Sequence, residues 1–246
     1  MKVLLTVFLM IFAAVSPGLA QPRALTRPQI REAERALADL GYWTGPVDGV
    51  VDEATRSALI AFQKWEGRAI TGRFTKGELE AILGSTPPQA RELGYEHVEV
   101  DIDRQVLLLV NNEGGVRVLP VSTGTGKPFV SEGQTSIAYT PRGRFVVYDK
   151  SYGWENGQLG SVFYANYITG GVAIHGYESV PTRPASHGCI RIPMFAARDV
   201  SKLLALGTIV LVYDKVSFVS AKEWVQNPKL KEAAMSNAAA RDYTVY

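Results

Sequence analysis

The sequence has a single cysteine, Cys189, so the chain lacks the second thiol that an internal disulfide would require. A lone thiol can pair with another molecule, pack as a small apolar side chain, or serve as a reactive group. Histidine is also scarce, with three residues in the chain, yet His175 and His187 both lie within fourteen positions of Cys189. A nearby imidazole is the usual means of generating a thiolate, so the reactive group is the first hypothesis to test.

An excess of charge of either sign is missing as well. The 26 Lys and Arg residues nearly balance the 24 Asp and Glu residues, which gives a formal net charge of +2. A nucleic-acid partner would need a concentrated basic face, so this composition excludes nucleic-acid binding as the function. With 46% hydrophobic and 20% charged residues, the chain can form a core and is not globally disordered.

The longest apolar run is confined to the first residues of the chain. Val3 to Val15 is an apolar stretch of thirteen residues, preceded by Lys2 and followed by the small-x-small site Gly18-Leu19-Ala20. A membrane-spanning helix needs about 20 apolar residues, so an uncleaved anchor is the less favoured interpretation. Residues 1–20 are therefore predicted to be a cleaved secretory signal, and the mature protein is expected outside the cytoplasmic membrane, in the periplasm or cell wall.

Residues 24–84 are predicted to form a small domain of three short helices. Each predicted helix begins at a residue whose side chain can cap it, in chain order Thr26, Asp52 and Thr75. Apolar residues follow at helical spacing, and Gly41 is placed to end the first helix. The Ser- and Pro-rich segment after Gly84 predicts a linker over residues 85–95.

Residues 96–214 are predicted to form a mostly β domain, a sandwich or an open barrel. Its predicted strands cover residues 98–102, 105–110, 116–122, 143–148 and 208–213. The first of these alternates apolar with acidic residues, which is typical of a half-buried strand. Pro193 to Leu206 is predicted to be the one substantial helix of this domain. The tail, residues 215–246, has weaker patterning and receives no function.

The helical segment resembles the peptidoglycan-binding domain type 1 family. The matching residues are Leu40-Gly41-Tyr42, Gly45-Pro46-Val47-Asp48-Gly49, Thr55, Ala58, Phe62-Gln63, Thr75 and Leu79. The resemblance implies a three-helix module that binds the glycan strands of peptidoglycan. The rings of Tyr42, Trp43 and Trp65 could stack on sugar faces, although core packing is expected for at least half of them.

A thiol nucleophile needs a base, a group that orients the base, and donors aimed at the developing oxyanion. Cys189 is the candidate nucleophile, and successive N–H groups around Gly188 and Cys189 are candidates for the oxyanion hole. Spacing alone does not choose between His175 and His187 as the base. A zinc site of Cys and His ligands is an alternative, but the short ligand pairs typical of such sites are missing. We therefore expect no metal, and the resemblance of the second domain given next implies no organic cofactor.

Residues 96–214 resemble the L,D-transpeptidase catalytic domain of the YkuD family. The signature is His175-Gly176 followed by Ser186-His187-Gly188-Cys189-Ile190-Arg191, with support from residues 105–109, 121–124 and 140–145. The resemblance implies that Cys189 is the nucleophile and His175 the general base. It also implies that the carbonyl of Gly176 holds the other ring nitrogen of His175, where a carboxylate would stand in many other sites.

The same resemblance implies supporting roles for the neighbouring residues. His187 and Gly188 would support the loop and the charge around the thiolate. Arg191 would order the site or bind a substrate carboxylate. Ser186 and Tyr164 are the remaining candidates for substrate contacts, Tyr164 as an aromatic residue that lines the pocket ahead of the base.

The implied donor is a peptidoglycan tetrapeptide stem, which would lose its terminal D-alanine to form a thioester on Cys189. Transfer to an amine of a neighbouring stem would give a 3→3 cross-link. Water as acceptor would make the protein an L,D-carboxypeptidase, a free D-amino acid would give exchange, and a protein lysine would anchor that protein to the wall. A non-catalytic wall-binding protein is the alternative of another class. An oxidisable thiol beside two histidines argues against it.

Overall fold

The computed structural model describes residues 24–215. The predicted signal, residues 1–20, and the tail beyond residue 215 lie outside the described residues. In the described part, no helix is long and apolar enough to cross a membrane. The elements in chain order are α1 (Arg27–Asp39), α2 (Glu53–Trp65), α3 (Lys76–Leu83), β1 (His97–Asp101), β2 (Val106–Val110), β3 (Val116–Pro120), β4 (Pro128–Ser131), β5 (Gln134–Ile137), β6 (Gly143–Val146), β7 (Asp149–Lys150), β8 (Trp154–Gly157), β9 (Gly160–Thr169), β10 (Val172–Tyr177), β11 (Ile190–Pro193), α4 (Met194–Leu203) and β12 (Ile209–Tyr213).

The three predicted cap residues begin the three N-terminal helices. The Asp52 carboxylate accepts the N–H of Thr55 at 2.8 Å, and the Thr75 hydroxyl accepts the N–H of Glu78 at 3.1 Å. At α1 the bond runs the other way, from the Thr26 N–H to the side-chain oxygen of Gln29 at 2.9 Å. Each bond satisfies a backbone donor at a helix N-terminus, which is why these helices begin where they do.

Two sheets and a separate hairpin make up the rest of the fold, so the prediction of a helical domain followed by a mostly β domain is confirmed. One sheet has the strand order β3-β2-β1-β12-β6, in which only β1 and β12 run parallel. The other has the order β11-β10-β9-β7 with β8 also on β9, and only β10 and β11 run parallel. Strands β4 and β5 form the hairpin. The predicted helix 193–206 is α4, which packs on the second sheet.

One apolar core lies between the first sheet, the second sheet and α4. Its fully buried members include Val98, Val100, Leu107, Ile174, Ile190, Ile192, Ala197 and Val210. Alternate residues of a strand point to opposite faces, so this core takes only one face of the first sheet. The other face has a different partner.

The helical module covers that other face. A second core joins Leu37, Leu59 and Phe62 of the module to Val106, Leu108, Val110 and Val118 of β2 and β3. Strand β2 is therefore buried on both faces, which explains why its sequence is a continuous apolar run. Gly41 adds a backbone pairing to β3, since the Val118 N–H donates to its carbonyl at 2.9 Å. A Cβ on Gly41 would lie 2.4 Å from the Val116 carbonyl oxygen, so this residue allows the close approach as well as ending α1.

The segment predicted as a linker, residues 85–95, lies on the rest of this face. Glu99 of β1 accepts the N–H groups of Arg91 at 2.8 Å and Glu92 at 3.0 Å. The Tyr95 ring stacks on His97, with the ring centroids 4.4 Å apart. The prediction that β1 is half buried is wrong, because all five of its residues are buried, with Glu99 bound to this segment and Asp101 to Arg104. Module, segment and sheet thus form one continuous structure.

Candidate active site

The parallel pairing of β10 and β11 brings the predicted catalytic residues together. In its register Ile174 lies opposite Ile190, and His175 lies opposite Arg191. Cys189 directly precedes β11, and its Sγ lies 3.8 Å from the carbonyl oxygen of Gly171, the residue just before β10. Two hydrogen-bonded strands therefore hold the base and the nucleophile on one wall of one cavity.

His175 is 3% exposed, and its Nδ1 lies 2.9 Å from the carbonyl oxygen of Gly176. A carbonyl oxygen can only accept a hydrogen bond, so Nδ1 carries the hydrogen and Nε2 has the free lone pair. This is the hydrogen bond that the family resemblance implied. It leaves Nε2 as the nitrogen able to take up a proton.

Gly176 also allows α4 to pack closely on the strand that carries His175. A Cβ at this position would lie 2.6 Å from the Cβ of Ala197 in α4 and 3.1 Å from Cδ1 of Phe163. Only glycine lets α4 approach β10 to this distance without displacing the strand that carries His175.

The charges of the two candidate catalytic groups, His175 and Cys189, are set chiefly by burial. Burial lowers the pKa of His175 from 6.5 to about 4, and the positive charge of Arg191 adds to that effect. Burial also raises the pKa of the Cys189 thiol, against the opposing effects of the Ala173 N–H and the Arg191 charge. At neutral pH the resting site therefore holds a neutral imidazole and a neutral thiol.

Hydrogen bonds within the loop fix the backbone around Cys189. The Ser186 hydroxyl donates to the Cys189 carbonyl at 2.6 Å and accepts the Gly188 N–H at 3.0 Å. The Thr140 hydroxyl donates to the Gly188 carbonyl at 2.6 Å. Gly188 has a φ of +149°, and a Cβ there would lie 2.9 Å from the Tyr139 carbonyl oxygen. The loop geometry thus depends on glycine at this position.

Two expectations about this loop need correction. Ser186 is buried, with its hydroxyl taken up by the two loop bonds, so it orders the loop and does not offer that hydroxyl to substrate. The Gly188 N–H is already bound to the Ser186 hydroxyl, so of the two predicted oxyanion donors the Cys189 N–H remains the candidate.

His187 also lines this cavity. It is exposed, and its ring lies on the ring of Phe129 in β4, with the centroids 4.6 Å apart. This contact joins the β4–β5 hairpin to the catalytic loop. The sequence carried no signal for Phe129. Thr140 belonged to a quoted family match, but its bond to the loop could not be foreseen without the fold.

Arg191 lies beneath the same cavity, packed on the ring of Tyr177 at 4.0 Å. One terminal nitrogen donates to the Ala185 carbonyl at 3.1 Å, whereas Nε is buried and has no partner. A buried donor without a partner is unusual in a folded protein and suits a site that receives an acceptor.

The cavity has a volume of about 970 Å³. The β8–β9 hairpin forms one side of it, and the catalytic residues form the other. Tyr164, predicted to line it, instead lies on a separate cleft with Lys150 and Arg198. The reason is local: Tyr164 has a φ of +48°, at a place where the β9–β10 pairing shifts register, and its ring turns onto Phe163.

Among residues 24–215, no group of three or more His, Cys, Asp or Glu side chains is arranged to hold a metal ion. His97, the remaining histidine, bonds Glu99 at 3.1 Å under the segment that covers β1, remote from the cavity residues. The cavity brings together the Cys189 thiol, the His175 imidazole and the Arg191 guanidinium.

Comparisons with known proteins identify the families that the chain resembles. Residues 95–212 match the model of the L,D-transpeptidase catalytic domain, YkuD, and residues 26–82 match a family described as "Putative peptidoglycan binding domain". A search of curated proteins found no match. Among solved structures, the L,D-transpeptidase from Xylanimonas cellulosilytica DSM 15894 is 36% identical with a TM-score of 0.73, over 80% of this chain and 100% of that one.

More distant structures include an L,D-transpeptidase (Yku) from Stackebrandtia nassauensis, 21% identical with a TM-score of 0.45 over 75% of this chain and 90% of that one. Another is the L,D-transpeptidase from Mycobacterium smegmatis, 24% identical with a TM-score of 0.40 over 48% and 58%. The Xylanimonas match carries the conclusion, because this chain spans the whole of that structure at substantial identity. The chain belongs to the L,D-transpeptidase family, with a YkuD catalytic domain preceded by a domain of the peptidoglycan-binding type.

Proposed function

We propose that the protein is a cysteine-dependent L,D-transpeptidase that acts on peptidoglycan stem peptides outside the cytoplasmic membrane. The observation that carries the proposal is that the lone thiol of Cys189, just before β11, and the buried imidazole of His175, on β10, line the same cavity. The bond from His175 Nδ1 to Gly176 supports it further, because it leaves Nε2 free to act as a base. The pattern of residues 1–20 supports the location.

In the first half-reaction the Cys189 thiol loses its proton to Nε2 of His175 as Sγ attacks the carbonyl carbon of the third stem residue. Both groups start neutral, so this proton transfer accompanies attack and does not precede it. The Cys189 N–H stabilises the oxyanion of the tetrahedral intermediate. Collapse breaks the peptide bond, His175 returns the proton to the departing amine, and free D-alanine leaves a thioester on Cys189.

In the second half-reaction an amine of a neighbouring stem attacks the thioester carbonyl. His175 accepts a proton from that amine, and the Cys189 thiolate leaves and recovers a proton, so the enzyme returns to its starting state. The product is a 3→3 cross-link. The cavity has room for both chains, since its volume of about 970 Å³ is at the upper end of ordinary ligand sites.

We assign recognition of a substrate carboxylate to Arg191. Its guanidinium plane is held by Tyr177 and by the Ala185 carbonyl, and its buried Nε lacks a partner. A carboxylate placed there would accept a charge-assisted hydrogen bond. Stem peptides carry such groups on their terminal residue.

Peptidoglycan is also the proposed partner of the helical module, but aromatic stacking on sugars is a poor fit. Tyr42 is buried, and the rings of Trp43 and Trp65 lie under the guanidinium groups of Arg117 at 5.2 Å and Arg104 at 4.7 Å. All three rings belong to the contact between module and sheet. We therefore place any glycan contact by the module on the surface that faces away from the sheet.

Product analysis tests the proposal. The full chain is incubated with a disaccharide tetrapeptide and the products are identified by mass spectrometry. We expect dimers with 3→3 links and release of D-alanine. Tripeptide without dimers would make the protein a carboxypeptidase, and D-amino-acid incorporation would indicate exchange. Unchanged substrate with folded protein would contradict every enzymatic interpretation and favour a wall-binding protein.

Matched variants test the assigned residues. Cys189→Ser should abolish the products, and wild-type activity in this variant would refute the nucleophile. Arg191→Met should raise KM for the tetrapeptide, whereas Arg183→Met, a change on an exposed neighbouring loop, should leave it unchanged.

A further inference from the structure

The contact between the helical module and the catalytic sheet includes one charged residue at its centre. Lys64 of α2 is 4% exposed and lies among apolar side chains of the shared core. A lysine is almost never fully buried unless its amine has partners. Here Nζ donates to the carbonyl oxygens of Val121 at 2.8 Å and Gln105 at 3.1 Å.

These two carbonyls belong to the ends of neighbouring strands. Gln105 directly precedes β2 and has a φ of +56°, and Val121 directly follows β3. The Val121 N–H donates to the Gln105 carbonyl at 2.9 Å, so the two residues also bind each other. Lys64 binds both residues from the side of the module, and this contact of Gln105 with Val121 is called the junction below.

The junction continues directly into the catalytic loop. The Gln105 side chain accepts the Thr123 N–H at 3.0 Å, and the Thr123 carbonyl accepts the Ser186 N–H at 2.9 Å. Ser122 and Arg191 exchange two backbone hydrogen bonds of 3.0 and 3.1 Å. Residues 122 and 123 thus hold the catalytic loop on both sides of Cys189, and Lys64 holds the residue just before them.

We propose that Lys64 is a positioning residue for Cys189. The helical module then takes part in catalysis by fixing the backbone to which the catalytic loop is hydrogen-bonded. The proposal rests on the proposed function only in treating Cys189 as the reacting thiol. It gives the module a role beyond glycan binding. Displacing reacting groups by about 1 Å can lower a rate by about 10²-fold, so a small relaxation of this junction is enough to matter.

The chemistry of the junction favours positioning over simple adhesion. An apolar side chain would fill the same space without the penalty of burying an amine. That penalty lowers the pKa of Lys64 to about 7, so near neutral pH the buried amine exists in both its charged and its neutral form. A neutral amine has two N–H donors, which matches the two carbonyls it contacts. The residue is therefore suited to satisfying two strand-end acceptors at once.

The test compares full-length variants. Lys64→Met removes the donors and keeps the length of the side chain, and Lys64→Gln keeps an amide that is too short to reach both carbonyls. Lys76→Met changes an exposed lysine of the same module, with a side chain 81% exposed. Leu79→Ala weakens the core of the module and leaves the Lys64 bonds in place. The last two separate positioning from general destabilisation.

Two readouts are taken at a temperature at which circular dichroism shows each variant folded. The first is the pKa of Cys189 from the pH dependence of its alkylation by iodoacetamide. The second is kcat and KM for the tetrapeptide. Loss of the Lys64 bonds should expose the loop, moving the thiol pKa down toward that of free cysteine, and should lower kcat about tenfold to hundredfold with KM little changed.

Lys76→Met and Leu79→Ala should match the wild type in both readouts, even where Leu79→Ala melts at a lower temperature. An unchanged thiol pKa or an unchanged kcat in folded Lys64→Met or Lys64→Gln would overturn the proposal, as would an equal effect in Leu79→Ala. The alkylation readout does not depend on transpeptidation. A wild-type protein without activity would therefore count against the proposed function and still leave the positioning role open to measurement.

Discussion

The pKa of the Cys189 thiol determines how the reactivity of this residue should change with pH. Burial raises the pKa of the thiol above its ordinary value of 9.0, and neither the Ala173 N–H nor the Arg191 charge outweighs that effect. A thiol with a pKa of 9 or more is ionised in at most about 1% of molecules at pH 7. The pKa of His175 is lowered to about 4, so the imidazole does not add a positive charge in this range.

Alkylation by iodoacetamide measures this ionisation, because only the thiolate reacts and the chain has no other thiol. The second-order rate constant should rise about tenfold per pH unit between pH 6 and 8, as the thiolate fraction does. A short peptide containing one cysteine provides the reference. A plateau in this range would indicate a preformed thiolate–imidazolium pair and would refute the argument from burial.

The Arg191→Met variant tests whether the guanidinium charge acts on the thiol. The Arg191 charge lowers the pKa of Cys189, so Arg191→Met should raise that pKa further and slow alkylation at pH 8. Arg183→Met, on the exposed loop, should have no effect on the rate. Equal rates in wild type and Arg191→Met would show that the guanidinium does not act on the thiol.

Three further predictions concern stability and the module. Gly176→Ala places a Cβ 2.6 Å from that of Ala197, so urea denaturation should show a loss of about 1–3 kcal/mol, whereas Gly77→Ala, with no contact under 3.9 Å, should not be destabilising. Removal of residues 24–84 uncovers an apolar sheet face, so activity should fall alike on soluble muropeptides and intact sacculi; loss on sacculi alone would mean that the module is only a tether. Burial lowers the pKa of Lys64 from 10.5 to about 7, so from pH 7 to 9 the unfolded state binds a proton that the folded state lacks. The free energy of unfolding should therefore rise by up to about 1.4 kcal/mol per pH unit, and an equal slope in Lys64→Met would contradict this.

The sequence predicted helices and strands well where neighbouring residues determine where the element begins. Asp52 and Thr75 cap their helices because each side chain reaches a donor three residues ahead. The apolar run of β2 was recognised as a strand, but its sequence could not say what covers each face. That depends on the module, whose contact with the sheet brings together residues far apart in the chain.

The candidate site likewise contains residues that the sequence identifies and residues whose role only the fold reveals. The register of β10 and β11 sets His175 and Cys189 on one cavity, and both residues lie in the motif that the sequence displays. Tyr164 was misplaced because a backbone irregularity in β9 turns its side chain to another cleft. Lys64 gave no signal, since a lysine on an amphipathic helix is typical of an exposed position. Only the fold shows that its amine meets two strand-end carbonyls.

The structure connects the helical module to the catalytic domain more closely than the sequence predicted. The Ser- and Pro-rich composition predicted a linker over residues 85–95. The structure instead has Glu99 and Arg144 of the sheet binding that segment, with Arg144 Nη1 2.9 Å from the Glu92 carboxylate. A tether raises only the local concentration of an enzyme, whereas a module in the same core can also hold the catalytic loop.

The most direct test of the account is the intact mass of the full chain after brief exposure to a disaccharide tetrapeptide without an acceptor amine. We predict an adduct equal to the donor minus its terminal D-alanine, located on the peptide that contains Cys189 and absent from Cys189→Ser. Cross-linked or trimmed products formed by folded protein without any adduct on Cys189, or an adduct on another residue, would contradict the thioester mechanism.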